Sequence, residues 1–150
     1  MKYREAVVED LDDLYIIEQK VIEAERPFNS SIKAGKTTYY DIEKLILDSH
    51  SCLIVAEDDG EIAGTGYAQI RASKESLQHD SHSYLGFMYV SPQHRGKGIN
   101  GEIVDILIAW SHAQGVKDYY LEVYAGNASA IRAYEKIGFQ PCLVEMKLST

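Results

Sequence analysis

Positive charge is in short supply. Lys and Arg together number 15 against 23 Asp and Glu, a formal net charge of -8 over 150 residues. Nonspecific nucleic-acid binding rests on clustered cations that neutralise phosphates, so no nucleic-acid partner is expected. A negative surface suits a cationic substrate instead. Long apolar runs are missing as well, and the opening MKYREAVVEDLDDL is polar and acidic, without a signal-peptide core. Neither a membrane span nor export is expected from that pattern, and a cytoplasmic location is. Only two cysteines occur, Cys52 and Cys142, each inside an apolar segment. They read as two buried free thiols in a reducing compartment rather than a disulfide or a metal pair. His79-x-x-His82 lies in a polar stretch with no third partner, so no metal is expected. Repeats, low-complexity tracts and linkers are absent, and the length suits a single domain over residues 1–150.

What is present is a regular succession of elements. YREAVV (3–8) reads as a strand, after which Asp10 can cap a helix carrying Leu11, Leu14, Ile17 and Val21 on one face. RPFNSSIKAGK (26–36) has no periodicity and reads as a loop, followed by a helix over 38–49 with Ile42, Leu45 and Ile46 inward. CLIVAEDDGEIAGTGYAQI (52–70) is a hairpin around Asp59-Gly60, and HSYLGFMYV (82–90) is a further strand after a polar connection over 72–81. From Ile99 the spacing turns helical through Ile103, Ile106, Leu107 and Trp110, with Gly115 as the stop. KDYYLEVY (117–124) is the next strand. Asn127 then caps a helix with Ala130, Ala133, Tyr134 and Ile137 on one face, closed by Gly138, and 139–148 finishes as a strand. The implied class is α/β (α+β): a mixed sheet with helices on both faces.

SPQHRGKGING (91–101) sits at a strand-to-helix junction and carries three glycines beside Arg95 and Lys97. Backbone N–H groups converge at such a junction, and the helix dipole favours negative charge there. Glycine lets those amides approach phosphate oxygens without a Cβ in the way. Gly96-x-Gly98-x-x-Gly101 matches the dinucleotide fingerprint, and Glu122 lies about 20 residues beyond it, where that fingerprint wants an acid. Against that reading, Ser91 to Arg95 separate the strand from the first glycine. The loop also comes late in the chain, after an antiparallel hairpin, with about 50 residues left for a second mononucleotide half. A G-x-x-x-x-G-K-[ST] P-loop does not occur.

VSPQHRGKGINGEIVDIL followed by NASAIRAYEKIGF resembles motifs A and B of the GNAT family of N-acetyltransferases. The likeness is strongest over residues 82–140, and the downstream N-x-x-A-x-x-x-Y-x-x-x-G-F lies at the family's separation. Two registers of the glycine motif fit: Gln93 with Gly96 and Gly98, or Arg95 with Gly98 and Asn100 in place of the usual Gly or Ala. Asn tolerates a left-handed backbone better than most residues. The resemblance implies a mixed, mostly antiparallel six- to seven-stranded sheet with helices on both faces. Its element order is strand, two helices, three strands, helix, strand, helix, two strands.

The resemblance further implies that acetyl-CoA is the co-substrate. The main chain of Arg95, Gly96, Lys97, Gly98, Ile99, Asn100 and Gly101 would take its pyrophosphate, and Met88, Tyr89 and Val90 would run beside its pantetheine arm. Tyr134 matches the motif-B tyrosine that protonates the departing thiolate, and Asn127 matches the motif-B asparagine, placed by the family against the cofactor arm. A phenol near pKa 10 stays protonated where a thiol near 8.5 does not, so it can donate to a nascent thiolate. The acceptor implied is a primary amine of a small molecule or peptide, and a homodimer is compatible with the resemblance.

Glu75, His82, Tyr84 and Glu122 are the candidates for the general base. The adjacent Ser111-His112 point apart on a helix, so direct transfer without an acyl-enzyme is expected. Tyr39-Tyr40-Asp41, with Glu23 and Glu25, could form an aromatic-acidic mouth for an ammonium group, or simply begin an amphipathic helix. A non-catalytic acyl-CoA-binding regulatory domain and a dinucleotide-binding oxidoreductase are the alternative readings.

Overall fold

A computed structural model describes all 150 residues. Five strands form one sheet in sequence order: β1 (Lys2–Glu5), β2 (Ser51–Asp58), β3 (Glu61–Ala72), β4 (Ser81–Val90) and β5 (Tyr119–Tyr120). Neighbours are antiparallel except β4 and β5, which are parallel. The principal helices are α1 (Leu11–Glu25), α2 (Ile42–Leu47), α3 (Ile99–Ala113) and α4 (Ala128–Ile137). None is long and apolar enough to cross a membrane.

Strand alternation distributes the core to two sides. Leu53 and Val55 of β2 join Leu14, Ile17 and Val21 of α1 and Ile42 and Leu45 of α2. Cys52, Ile54 and Ala56 point the other way, onto Ile99, Ile103, Val104 and Leu107 of α3. Full burial of such an aliphatic side chain is worth about 1.5–3 kcal/mol. The helical spacing read at Ile99, Ile103 and Leu107 is the spacing that delivers them to one face.

One irregularity in β4 matters for everything downstream. Tyr67 pairs with Gly86, whereas Thr65 pairs with Tyr89, so β4 spends one residue more than β3 over this interval. Phe87 takes up the extra length at φ +52°, a left-handed conformation that costs a non-glycine residue of order 1–2 kcal/mol. The Thr65 hydroxyl donates to the Phe87 carbonyl at 2.7 Å and holds the bulge from the neighbouring strand. The inserted residue reverses the alternation: Leu85 faces α3, but Phe87, two residues on, faces α1 and α2. Gly86 permits the turn because the Tyr67 ring lies across it; a Cβ there would stand 2.6 Å from two ring carbons and the hydroxyl oxygen of Tyr67. Gly86→Ala is therefore expected to destabilise by about 1–3 kcal/mol, the usual cost of overpacking. Thermal unfolding should register this as a drop of roughly 2–12 °C; a Tm equal to wild type would show that Tyr67 moves aside freely.

Several expectations need correction. The sheet has five strands rather than six or seven. Residues 139–148 form no strand: Leu143, Val144, Met146 and Leu148 are 80–90% exposed, and beyond the Phe139 N–H no main-chain hydrogen bond is made. The reason lies in β5, which spans two residues instead of 117–124 and so presents no ladder for a following strand. Lys147 donates to the Ser31 hydroxyl at 2.7 Å, the side-chain link of this segment to the body. Cys52 is buried as expected, but Cys142 lies in this segment and is exposed. Asp10 does precede α1, yet its carboxylate caps nothing there. It accepts instead from both outer nitrogens of Arg4 (2.8 and 2.9 Å) and from the Val7 N–H (2.8 Å), because a charge-assisted pair outcompetes an amide. The helix expected over 38–49 starts only after Asp41, whose side chain accepts from the Lys44 N–H. The residues before it are not helical, and the N–H groups of Tyr39 and Tyr40 both donate to the buried Glu18 carboxylate.

Candidate active site

The glycine loop is anchored from below. The Ser91 N–H donates to the Ala63 carbonyl at 2.8 Å, and the Ser91 hydroxyl meets His94 Nδ1 at 2.7 Å. His94 Nε2 in turn meets Asp58 at 2.7 Å, which ties the loop to the β2–β3 hairpin. The His94 contact holds the Asp58 carboxyl below its ordinary range. Arg95 folds back to donate to the Val90 carbonyl at 3.2 Å. Gly96 and Gly98 sit at φ +77° and +81°, where other residues would be strained. Arg95, Gly96, Lys97 and Gly98 are exposed, while the buried Ile99 side chain roots the first turn of α3. No side chain caps this helix, so its leading N–H groups face outward beside two cations.

β4 leads from this loop toward the centre of the molecule with one edge open. It pairs with β5 only at Ser83–Tyr119 and Tyr84–Tyr120; beyond Tyr120 the two part, and Leu85 to Val90 have β3 alone as a neighbour. Met88, Tyr89 and Val90 thus flank a wedge between the strands, with the bulge at Phe87 toward its inner end.

Side chains from four segments gather around that end. Tyr40 stacks on Phe87 at 4.7 Å and 23°, and Tyr39 stands edge-on to Tyr40 at 5.6 Å. Asn29 donates to the Tyr124 hydroxyl at 3.0 Å, and Tyr124 lies beside Tyr39. Tyr134, on α4, packs edge-on against Phe139 at 6.0 Å. Burial, aided by the charge of Glu25, pushes the Tyr134 phenol up to about 12. Asn127 caps α4 by accepting the Ala130 N–H at 3.2 Å. Alongside lies a groove of about 250 Å³ lined by Tyr39, Tyr40, Asp41, Lys44, Tyr67 and Arg71 among others.

The structure thus gathers Tyr134 with Tyr39, Tyr40 and Glu25, and puts Met88 to Val90 in line with the loop at 95–101. Of the four candidate bases, Glu75 and His82 stand away from the bulge, whereas Tyr84 reaches its aromatic cluster through Tyr67, 6.3 Å between ring centroids, with Glu122 beside it. Glu75 is exposed in the connection before β4. His82 shares the Ser73 hydroxyl with His79, at 2.9 and 2.7 Å. It lies five residues before Phe87, roughly 16 Å along a strand. Tyr84 is covered by the Arg71 guanidinium at 3.9 Å, and Glu122 is exposed beside Tyr84. Sequence spacing gave no sign of Phe87, His94 or Tyr124, because each acquires its place through a bulge, a hydrogen-bond relay or a long-range contact.

The sequence profile described as the acetyltransferase (GNAT) family matches residues 14–139. A mouse protein named probable N-acetyltransferase family 8 member 5 is 33% identical over 122 residues, covering 78% of this chain and 51% of that protein. The chain spans about half the length of that curated relative. Among solved structures, a mutant form of the BH1408 protein of Bacillus halodurans superposes with a TM-score of 0.89 at 22% identity, over 100% of this chain and 99% of that one. A protein described as a predicted acetyltransferase, from Clostridium acetobutylicum and solved with acetyl-CoA, gives 0.73 at 20% identity, over 99% and 95%. At these identities the structural matches speak to the fold.

Proposed function

The chain belongs to the GNAT acetyltransferase family, and from that premise we propose that it moves the acetyl group of acetyl-CoA directly to a primary amine of a small molecule or peptide. The observation that carries this reading is the parting of β4 from β5, with the glycine loop at one end and a tyrosine-lined recess at the other.

The residues present fit the co-substrate. Uncapped amides from Gly96 to Gly101, with Arg95 and Lys97 beside them, suit a pyrophosphate, and added bulk at Gly96 or Gly98 would stand in open space rather than in protein. The open edge at Met88, Tyr89 and Val90 offers main-chain partners to an amide-bearing arm, as a neighbouring strand would. Such an arm would end at the bulge, where the distorted ladder frees a β4 N–H to donate to the thioester oxygen as negative charge develops there. Tyr134 then supplies the proton that the departing sulfur needs. Asn127 both caps α4 and, in this reading, borders the arm. No acyl-enzyme is required, since none of these residues forms a nucleophile–base pair.

The test is thiol release from acetyl-CoA with spermidine, L-lysine, kanamycin and triglycine as acceptors. Acetylation of at least one, with release dependent on that amine, is the expected result. CoA binding without turnover of any amine would instead indicate an acyl-CoA-binding module. Thermal stabilisation by NAD and not by CoA would point to the dinucleotide reading.

A further inference from the structure

The last residue of α1 stands apart chemically from the rest of the recess. Two enclosed side-chain polar atoms in the whole molecule lack a hydrogen-bond partner, Glu25 Oε2 and the Tyr39 hydroxyl. They lie beside one another without a bond of good geometry between them. Leaving a buried polar group unpaired is costly, more so for a charged one, so two together call for a missing partner. That partner must satisfy an acceptor-only carboxylate, which makes it a donor.

We propose that the partner is the amine substrate itself, and that Glu25 is the base that prepares it. This rests on the acetyl-transfer reading above and names the residue that reading lacked. The recess suits an ammonium group. Glu25 receives no cation from the protein: no ion pair includes it, and its neighbour Arg26 is committed to Glu23 and to the carbonyls of Lys33 and Gly35. Glu23 is exposed and paired, so of the two acids near the end of α1 only Glu25 is free and turned inward. The groups that face it are phenols: Tyr39 and Tyr40 from the segment before α2, and Tyr134 from α4, with Tyr124 reached through Tyr39. Aromatic faces favour a cation without neutralising the carboxylate. Proximity to Tyr134 places Glu25 on the side of the cleft where the reaction ends.

The chemistry balances. Glu25 takes one proton from R–NH3⁺ and becomes neutral, leaving the nitrogen lone pair free. Nitrogen bonds to the acetyl carbon and the carbon–sulfur bond breaks. Sulfur leaves with the electron pair and takes the Tyr134 proton. The second proton on nitrogen returns to Tyr134, and Glu25 releases its own to water. The net products are R–NH–acetyl, CoA thiol and one proton.

Burial pushes the Glu25 carboxyl above the ordinary glutamate range, with the nearby Tyr39 hydroxyl opposing. A raised carboxyl is a stronger base once ionised, and it is lost as a base when pH falls through its own pKa. The wild-type kcat/KM should therefore decline on the acid side, with a midpoint above the ordinary glutamate value of about 4.3.

The experiment is the pH profile of kcat/KM for wild type, Glu25→Gln and Glu25→Asp, using acetyl-CoA and the four amines named above, with CoA affinity and Tm measured alongside. Glu25→Gln should lose the limb set by Glu25, its acid-side decline moving up to the ionisation of the amine itself, and should fall about 10²–10³-fold at neutral pH with CoA affinity unchanged. Glu25→Asp should keep the limb at a reduced rate, which separates loss of the carboxylate from loss of the fold. A Glu25→Gln enzyme with the wild-type limb and rate overturns the assignment while leaving acetyl transfer standing. Wild type that binds CoA yet acetylates none of the amines overturns both together.

Discussion

Gly98→Asp is expected to weaken CoA binding at least 100-fold, measured by titration calorimetry. Two effects add. Gly98 sits at φ +81° just before α3, so a side chain costs of order 1–2 kcal/mol in backbone strain, or else the turn shifts and the amides lose their convergence. The carboxylate would then compete with a pyrophosphate for those N–H groups and repel it, and 100-fold is only about 2.7 kcal/mol. Gly98→Ala separates the terms. A Cβ at this position meets nothing within 4 Å, so alanine carries the strain without the charge and should lose much less affinity at a similar Tm. CoA affinity unchanged in Gly98→Asp would mean that the pyrophosphate is held elsewhere.

Tyr134→Phe should lower kcat about 10²–10³-fold while the KM for acetyl-CoA stays within a few-fold of wild type. The ring's packing on Phe139 survives the change, so stability should barely move. With the phenol pushed up to about 12, Tyr134 is protonated at any working pH, as a proton donor must be. Giving that proton to a thiolate near 8.5 is uphill by roughly 5 kcal/mol. As the proposed acid, Tyr134 could not finish the cycle ionised; in that reading the proton is lent to sulfur and recovered from the nitrogen, which becomes acidic as it is acylated. Stopped assays with a pre-activated thioester, whose thiol leaves unaided, should show a smaller defect. A full wild-type kcat in Tyr134→Phe would remove Tyr134 from the acid role.

The parts of this molecule that declare themselves in sequence are those set by local periodicity. Ile99, Ile103 and Leu107 announce α3, Asp59-Gly60 announces the hairpin, and Asn127 caps α4 as read. Reading failed where a distant partner overrode a local preference. Asp10 has the composition of a helix cap, but Arg4 and Val7 claim its oxygens. Thr38 to Asp41 look helical in pattern, but no helix forms there and the Glu18 carboxylate takes the Tyr39 and Tyr40 amides. The apolar pattern over 139–148 is that of a strand, yet pairing needs a partner edge that β5 is too short to offer. The same division holds at the site. Glycines and the motif-B tyrosine lie in contiguous strings, whereas Glu25 is one acid among several until the fold encloses its Oε2.

The extra residue in β4 has a last consequence. Alternation along a strand behaves like a reading frame of two, and Phe87 shifts that frame between the buried half that precedes it and the wedge that follows. Tyr89 and Val90 stand on the faces that a strand one residue shorter would also give them. What the extra residue supplies is therefore the break in the ladder rather than the facing of the residues beyond it. A single deletion between Leu85 and Tyr89 would remove the bulge and restore plain alternation, leaving Tyr89 and Val90 on their present faces but closing the break in the ladder beside the wedge.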